Sequence, residues 1–568
     1  MILMKLTKNN FLLLTLFFFS YSIFSQTFEW GGSFGGIGET VIRKMYVDDN
    51  GNSYTTGYFT DSTDFDISSN ETVLISNDLY DVFVQKTNSN GDLVWAVSFG
   101  NDYFDYGTAI TTDSIGNVYV SGYFEETGDF NPGPEEFILE AQGNGDIFIV
   151  KLDSNGEFVW AKTVGGTDYE EPTSIGVDEL GNVFVLGYLY GTVDFDPSDN
   201  EFIKSSQGAA DVFLLKLNSF GEFLDVYTYG GTGQDLALEM FVKSSTEIFL
   251  SGYFDGTADL DPRTFNDYII TATDETIGYT MQLDETGAIV NIVNTEGGNV
   301  AIYAVEADLQ NNIYIAGVFD GVVNFDPQSD NLENTLSSTT DYNGFVLKVS
   351  PTGNVEWVRQ LSSESSNRIF DIAIGSNGTV NVSGFFGGSI DLNPSSTEDF
   401  ILTKISGSAS DAFLLVLDNN GFFLRGEQFG GVDFIDTHQI GMDGEDNVYI
   451  SGQFNLTVDI DPSPSVVNNV TAVEYRDSYL FKISNDLLNN EEYIYPSVKL
   501  FPNPADNLIY LKGSNKFVSM GYEIFNSLGQ KVDKGLLLQN GGIYVENLKP
   551  GVYTIKLVNN SSVKFVKN

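Results

Sequence analysis

Apolar and polar residues alternate with a period of two along most of the chain, in short runs broken by Gly, Asn, Asp and Ser. That period predicts strands, because successive side chains of a strand point to opposite faces. One stretch shows the grammar: Gly107 to Thr112 (G-T-A-I-T-T), Asn117 to Gly122 (N-V-Y-V-S-G), Asp146 to Leu152 (D-I-F-I-V-K-L) and Glu157 to Lys162 (E-F-V-W-A-K). The first two are joined by Asp113-Ser114-Ile115-Gly116 and the last two by Asp153-Ser154-Asn155-Gly156. Asp or Asn followed by Gly supplies the backbone shapes of hairpin turns. The next copy repeats both turns, at Asp178 to Gly181 and Asn218 to Gly221.

The pattern recurs along the chain. The Gly that closes the second phrase falls at Gly57, Gly122, Gly187, Gly252, Gly317, Gly384 and Gly452, with spacings of 65 four times, then 67 and 68. A fixed period means one supersecondary unit, copied, each copy burying its apolar face on its neighbours. Four antiparallel strands per unit predict one propeller blade, and seven units predict seven blades. Between the second and third strands lies a longer connection built on D-x-D, as in Asp194-Phe195-Asp196, Asp259-Leu260-Asp261 and Asp459-Ile460-Asp461. Its central apolar residue is expected to pack inward while the acids cap the turn or face water.

The four Trp residues occupy one repeat position. Trp95, Trp160 and Trp357 each lie 14 residues after the residue opening a third strand, Asp81, Asp146 and Asn343. Trp30 stands near the start of the chain, and its spacing to Phe34 matches that of Trp95 to Phe99. The seventh unit has a third strand at Asp477 to Ile483 but no Trp phrase after it. The segment around Trp30 and Phe34 is therefore expected to supply the missing outer strand and close the ring, which removes exposed sheet edges.

Composition sharpens the picture. Of 568 residues none is Cys and His438 is the only His, which excludes disulfides, thiolate chemistry, His-cluster metals and most His-base catalysis. The net charge is −52, while residues 493–568 hold nine Lys against four acids, so the acids concentrate in the repeat array. Such a surface repels phosphate backbones, and no nucleic acid partner is expected. Lys5 and Lys8 precede the apolar run Phe11 to Phe19, and Ser25 follows, the pattern of a cleaved signal peptide over residues 1–25. No second long apolar stretch follows, so no transmembrane segment is expected in the mature chain.

The repeats over about 26–490 resemble the SBBP-type β-propeller repeats of secreted bacterial proteins, and their D-x-x-G-N-V-Y-V phrase is similar to NHL repeats. The tail, 491–568, alternates apolar strands with Gly turns and resembles the type A C-terminal sorting domain of the type IX secretion system. The residues carrying that resemblance are Pro502, Asn503 and Pro504, the turn ending at Gly529, the segment from Leu548 through Gly551 to Tyr553, and the basic ending with Lys564 and Lys567. The resemblance implies Sec export, the type IX machinery as partner, and delivery to the outer surface or the medium. The fold expected is all-β: a seven-bladed β-propeller closed by an N-terminal strand, then a small β-sandwich.

Candidate chemistry is sparse. The paired carboxylates Asp194 and Asp196, Asp259 and Asp261, and Asp459 and Asp461 present oxygens that suit calcium, but turn capping explains them as well. Leu152 to Trp160 is similar to a sialidase Asp-box with its Gly and Trp displaced. Asp113-Ser114-Ile115 and Asp61-Ser62-Thr63 resemble bacterial O-glycosylation sites. No G-x-S-x-G, Walker loop or H-E-x-x-H occurs. The expectation is a non-catalytic binding or adhesion module without a cofactor, taking a glycan or protein ligand. A polysaccharide hydrolase or lyase on the same scaffold is the alternative.

Overall fold

A computed structural model describes residues 28–261, 268–273, 275–329, 332–338, 342–395, 398–405, 407–463, 466–484, 499–501, 504–505, 507–512, 521–526, 530–537, 542–557 and 562–568. Among the described residues the structure is all-β, with one 3-10 turn at Leu332–Asn334 and no α-helix. The chain divides into two compact units between Asn485 and Asp486.

Among its described residues the larger unit is built from seven four-stranded antiparallel ladders, here called sheets, several of which are linked to one another by shorter strands. The second sheet, unit 2, is representative: Tyr106–Thr112, Val118–Phe124, Asp146–Leu152 and Phe158–Gly166 pair in that order. The inner hairpin owes its shape to one Asp. In unit 1, Asp48 Oδ1 accepts the N–H groups of Asn50 at 3.0 Å and Asn52 at 2.9 Å, and Oδ2 accepts Asn52 Nδ2 at 2.8 Å. Gly51 takes the positive φ of 78° that the turn requires. Asp113, Asp178, Asp308 and Asp443 repeat the arrangement.

The repeat glycine has an equally local cause. Each first strand carries a bulge opposite it, between Ile42 and Lys44 in unit 1 and between Gly107 and Ala109 in unit 2. The bulge drives a carbonyl oxygen against the facing Cα. A Cβ on Gly57 would lie 1.9 Å from Val41 O, and one on Gly122 would lie 2.1 Å from Tyr106 O. Only Gly leaves room, so the bulge writes the period into the sequence.

The connection between second and third strands is more ordered than the sequence suggests. In unit 3 it forms a two-stranded hairpin, Thr192–Asp194 with Ile203–Ser205. The outer strand of unit 2 runs on to pair Gly165 with Asp194 and Gly166 with Val193. The outer strands of units 3, 6 and 7 grip the next sheet through paired terminal glycines in the same way, unit 1 through Gly100 and unit 4 through Glu296, and the apolar residue of D-x-D, Phe195, is fully buried beneath. Where Ser362 and Ser363 stand in place of the glycines, the pairing persists with Asp391 and Ile390, because it is made by backbone alone.

The seventh sheet takes its outer strand from the N-terminal end. Phe28–Gly36 pairs antiparallel with Asn469–Ile483, Trp30 facing Lys482 and Phe34 facing Ser478. Contacts between first strands run from unit to unit and return from Ile435–Met442 to Thr40–Val47. The apolar cores lie between neighbouring sheets. One joins Phe34, Tyr449 and Leu480 to Ile42, Phe59 and Phe83, tying the last sheet to the first.

In the smaller unit, Lys499–Phe501, Leu508–Lys512 and Gly542–Tyr544 form one sheet. Lys531–Leu536, Gly521–Asn526, Gly551–Leu557 and Ser562–Lys567 form the other. Both contribute to one core that includes Ile509, Ile524, Ile543, Ile555 and Phe565.

Candidate functional site

The D-x-D carboxylates are turn caps. Asp194 Oδ1 accepts the N–H of Asp196 at 3.1 Å and of Phe202 at 2.8 Å. Asp259 does the same for Asp261 and Tyr268, and Asp459 for Asp461 and Asn468. Asp196 and Asp461 each accept a further N–H, from Ser198 and Ser463. Among the described residues no group of three or more His, Cys, Asp or Glu side chains is arranged to hold a metal ion.

Trp30 joins a repeated constellation. Its indole N–H donates to Ser89 O at 2.9 Å in the outer turn of unit 1, as Trp95 donates to Ser154 O and Trp160 to Ser219 O, both at 3.2 Å. Each of the four Trp residues faces a Lys across its sheet, and that Lys lies over a second-strand Tyr; Lys482 Nζ sits 5.4 Å from the centre of the Tyr449 ring. Of the tail residues, Tyr553 is buried with its hydroxyl donating to Lys549 O at 2.8 Å. Leu548 packs against the same core. Gly551 opens a strand paired with Lys567, and Lys564 faces Thr554. Pro504 is exposed, whereas Pro502, Asn503, Gly529 and residues 1–25 lie outside the described residues.

Neighbouring sheets share buried carboxyl pairs. Asp81 and Asp105 converge on Gly100, and Asp211 and Asp235 on Gly230. Burial pushes Asp81 up to about 7 and Asp105 to about 8, with Asp81 adding repulsion on Asp105. Asp146 and Glu170 are likewise raised, to about 7 and about 8. Between units 5 and 6 the pair is Asn343 and Asn367, whose side chains hydrogen-bond at 3.0 Å.

A cavity of about 590 Å³ is lined by first-strand residues of all seven sheets. The residue after each bulge belongs to one layer, in which Lys44, Ser174, Glu239, Asp371 and Gln439 are polar. Lys44 of unit 1 pairs with Glu239 of unit 4, and Ser174 donates to the other oxygen of Glu239 at 2.7 Å. Burial alone lowers the Lys44 pKa, but Glu239 and Asp371 outweigh it and the net shift is upward. Asp371 is raised to about 6 and Glu306 to about 8 by burial, Glu306 also by repulsion from Asp371.

The bulged residues and the ends of the second strands build a different surface, at the strand ends remote from the inner hairpins. Tyr58, Tyr123 and Tyr188 follow the repeat glycines of units 1 to 3. Their rings join others in a continuous series: Phe104 to Tyr80 at 5.0 Å, Tyr80 to Tyr58 at 4.3 Å, Tyr58 to Tyr106 at 6.5 Å, Tyr106 to Tyr123 at 5.1 Å, Tyr123 to Tyr169 at 5.3 Å, and Tyr169 to Tyr190 at 6.3 Å. Glu171 Oε2 accepts the hydroxyls of Tyr169 at 2.6 Å and Tyr188 at 2.5 Å. The Arg43 guanidinium lies 4.5 Å from the Tyr106 ring centre and 3.6 Å from Glu171. Burial and then Glu171 push Tyr106 up to about 12, and the same two causes push Tyr169 and Tyr188 higher. In units 5 to 7 the bulges present Tyr303, Phe370 and His438, the last stacked on Phe370 at 4.6 Å. Sequence reasoning missed this face because S-G-Y-F reads as ordinary strand; the available signal was Tyr after the repeat Gly in four successive units.

Comparison with known proteins bears on both parts. The chain is 22% identical over 504 residues to an uncharacterized WD repeat-containing protein of Acanthamoeba polyphaga mimivirus, covering 75% of this chain and 36% of that one. It is 24% identical over 145 residues to the regulatory protein FlaEY of Caulobacter vibrioides, covering 25% and 15%. The match thus spans well under two thirds of either relative. Among solved structures, the extracellular domain of a putative hybrid two-component system of B. thetaiotaomicron aligns over 96% of this chain and 99% of its own, at 10% identity and a TM-score of 0.15. A Bacteroides caccae protein of unknown function covers 50% and 92%, at 12% identity and a TM-score of 0.21. Residues 499–568 match the secretion system C-terminal sorting domain, so the chain is exported through the type IX system to the cell surface or beyond.

Proposed function

We propose that the exported chain is a seven-bladed β-propeller of the SBBP type that acts as a non-catalytic binding module, with residues 1–25 as its Sec signal peptide and 491–568 as its sorting domain. The observation that carries the binding function is the tyrosine face, in which Phe104 is exposed and Tyr80, Tyr106, Tyr169, Tyr188 and Tyr190 are partly exposed over the buried Tyr58 and Tyr123, with Arg43 and Glu171 beside them, set on a repeated frame. Variable side chains on a rigid scaffold are where recognition sits. The seven sheets, and first-strand contacts that return from the seventh to the first, support the propeller.

A polysaccharide-acting enzyme is the second reading, favoured by Glu306 and Asp371, two cavity carboxyls with raised pKa values. Against it, both already accept backbone N–H groups, from Ile374 and Ile440, at 2.9 and 3.0 Å. Incubating the purified chain with a polysaccharide panel separates the two. Saturable binding without released reducing ends or unsaturated products supports the module, and turnover overturns it.

A further inference from the structure

We propose that the tyrosine face of units 1 to 3 is the binding site and that its ligand is a neutral polysaccharide chain; this rests on the binding-module function above. A pyranose offers an apolar C–H face and a rim of hydroxyls. Recognising it takes an aromatic surface with hydrogen-bond donors and acceptors beside it. The face from Phe104 to Tyr190 supplies both. Its accessible rings, Phe104, Tyr80, Tyr106, Tyr169 and Tyr190, spread over three sheets and are joined from beneath by the buried Tyr58 and Tyr123, which suits an extended chain better than one sugar.

Packing alone does not call for these phenols, since unit 6 fills the position after the repeat Gly with Phe385 and unit 5 with Val318. The hydroxyls instead lock the rings to one another and to Glu171, leaving little side-chain entropy to lose on binding.

Charge selects the ligand class. The chain's net charge of −52, concentrated in the repeat array, repels sulfated and uronic acid chains. The Glu171 charge is met by Arg43 and two phenols, so it offers little to a free cation. The phenols stay protonated and donate to Glu171 and to one another, which leaves Arg43 and the outer lone pairs of the hydroxyls to meet sugar hydroxyls, in keeping with binding without turnover.

The test uses the purified full chain in affinity electrophoresis and titration calorimetry against laminarin, galactan and mannan as neutral chains and alginate as the anionic control. At least one neutral chain should retard the protein and alginate should not. Tyr106→Ala and Tyr169→Ala should weaken binding at least tenfold, with Tyr169→Phe closer to wild type. Ile115→Ser, on an exposed inner hairpin tip, should change nothing. Melting curves confirm that each variant folds, and Tyr190→Ala at the end of the series replaces any that does not. Neutral-chain binding untouched by the Tyr variants overturns this site and leaves the binding module standing. Retardation by alginate alone, or by no chain, overturns the ligand class. Product release overturns the module itself.

Discussion

Trp30 donates its indole N–H to Ser89 O at 2.9 Å, over the same separation of 59 residues that divides Trp95 from Ser154 and Trp160 from Ser219. A residue from the beginning of the chain thus sits where the repeat puts the outer Trp of a sheet. Trp30→Ala should lower stability by about 2–4 kcal/mol through lost packing on Tyr449. Trp30→Phe should cost about 1 kcal/mol, mostly the hydrogen bond. Denaturant melts of both, beside Trp95→Ala as the reference, check the equivalence.

The carboxyl pairs between sheets make stability depend on pH. Asp81, Asp105, Asp146 and Glu170 carry folded-state values of about 7 to about 8, against about 4 in the unfolded chain. The folded chain therefore holds these protons more tightly. Their stabilisation is complete below about pH 4 and is lost as pH rises through 7 to 8. The melting temperature should fall between about pH 5 and about pH 9. The double variant Asp81→Asn, Asp105→Asn should flatten that slope, because Asn343 and Asn367 already occupy the same relation elsewhere.

Lys44 neutralises acids across the central cavity. Lys44→Met leaves Glu239 and Asp371 buried without their cation and should destabilise by roughly 3–5 kcal/mol near neutral pH. The loss should shrink below about pH 6, where Asp371 takes up a proton. Melting the variant and the parent at both pH values tests this.

The repeat glycines tolerate no side chain. Gly122→Ala would set a Cβ 2.1 Å from Tyr106 O and should cost about 1–3 kcal/mol or more. Gly116→Ala, at a hairpin with φ of 86°, should cost about 1 kcal/mol from backbone strain alone. Yields and melting midpoints of the two variants give the order.

Chelation should leave the melting midpoint unchanged, since the first carboxylates of D-x-D at Asp194, Asp259 and Asp459 are engaged with backbone N–H groups. A midpoint that falls with EDTA and recovers with calcium would establish a structural ion instead.

Much of this architecture was legible because its causes are local. A turn Asp, a turn Gly and a bulge facing a glycine each leave a mark in consecutive residues, and the period multiplies it. The hairpins such as Thr192–Asp194 with Ile203–Ser205 were not legible, since three-residue strands have almost no pattern and half their pairing is with another sheet. The ion pair of Lys44 with Glu239 was hidden by a sequence separation of 195, although that distance is three of the 65-residue periods and places both at one repeat position. The tyrosine face was hidden for the opposite reason, since each Tyr follows a strand rule and only their convergence in space distinguishes them.

The pairing of Phe28–Gly36 with Asn469–Ile483 has a consequence for how the protein is made. Apart from Gly35 and Gly36, which pair with Asp64 and Thr63, that strand meets its ladder partner only after some four hundred further residues have been synthesised. A copy broken off early keeps a bare edge on its last sheet and betrays itself as unfinished. The clasp snaps shut only once the strand ending at Ile483 exists, so synthesis of the seventh sheet and its stability are tested by the same handful of backbone bonds.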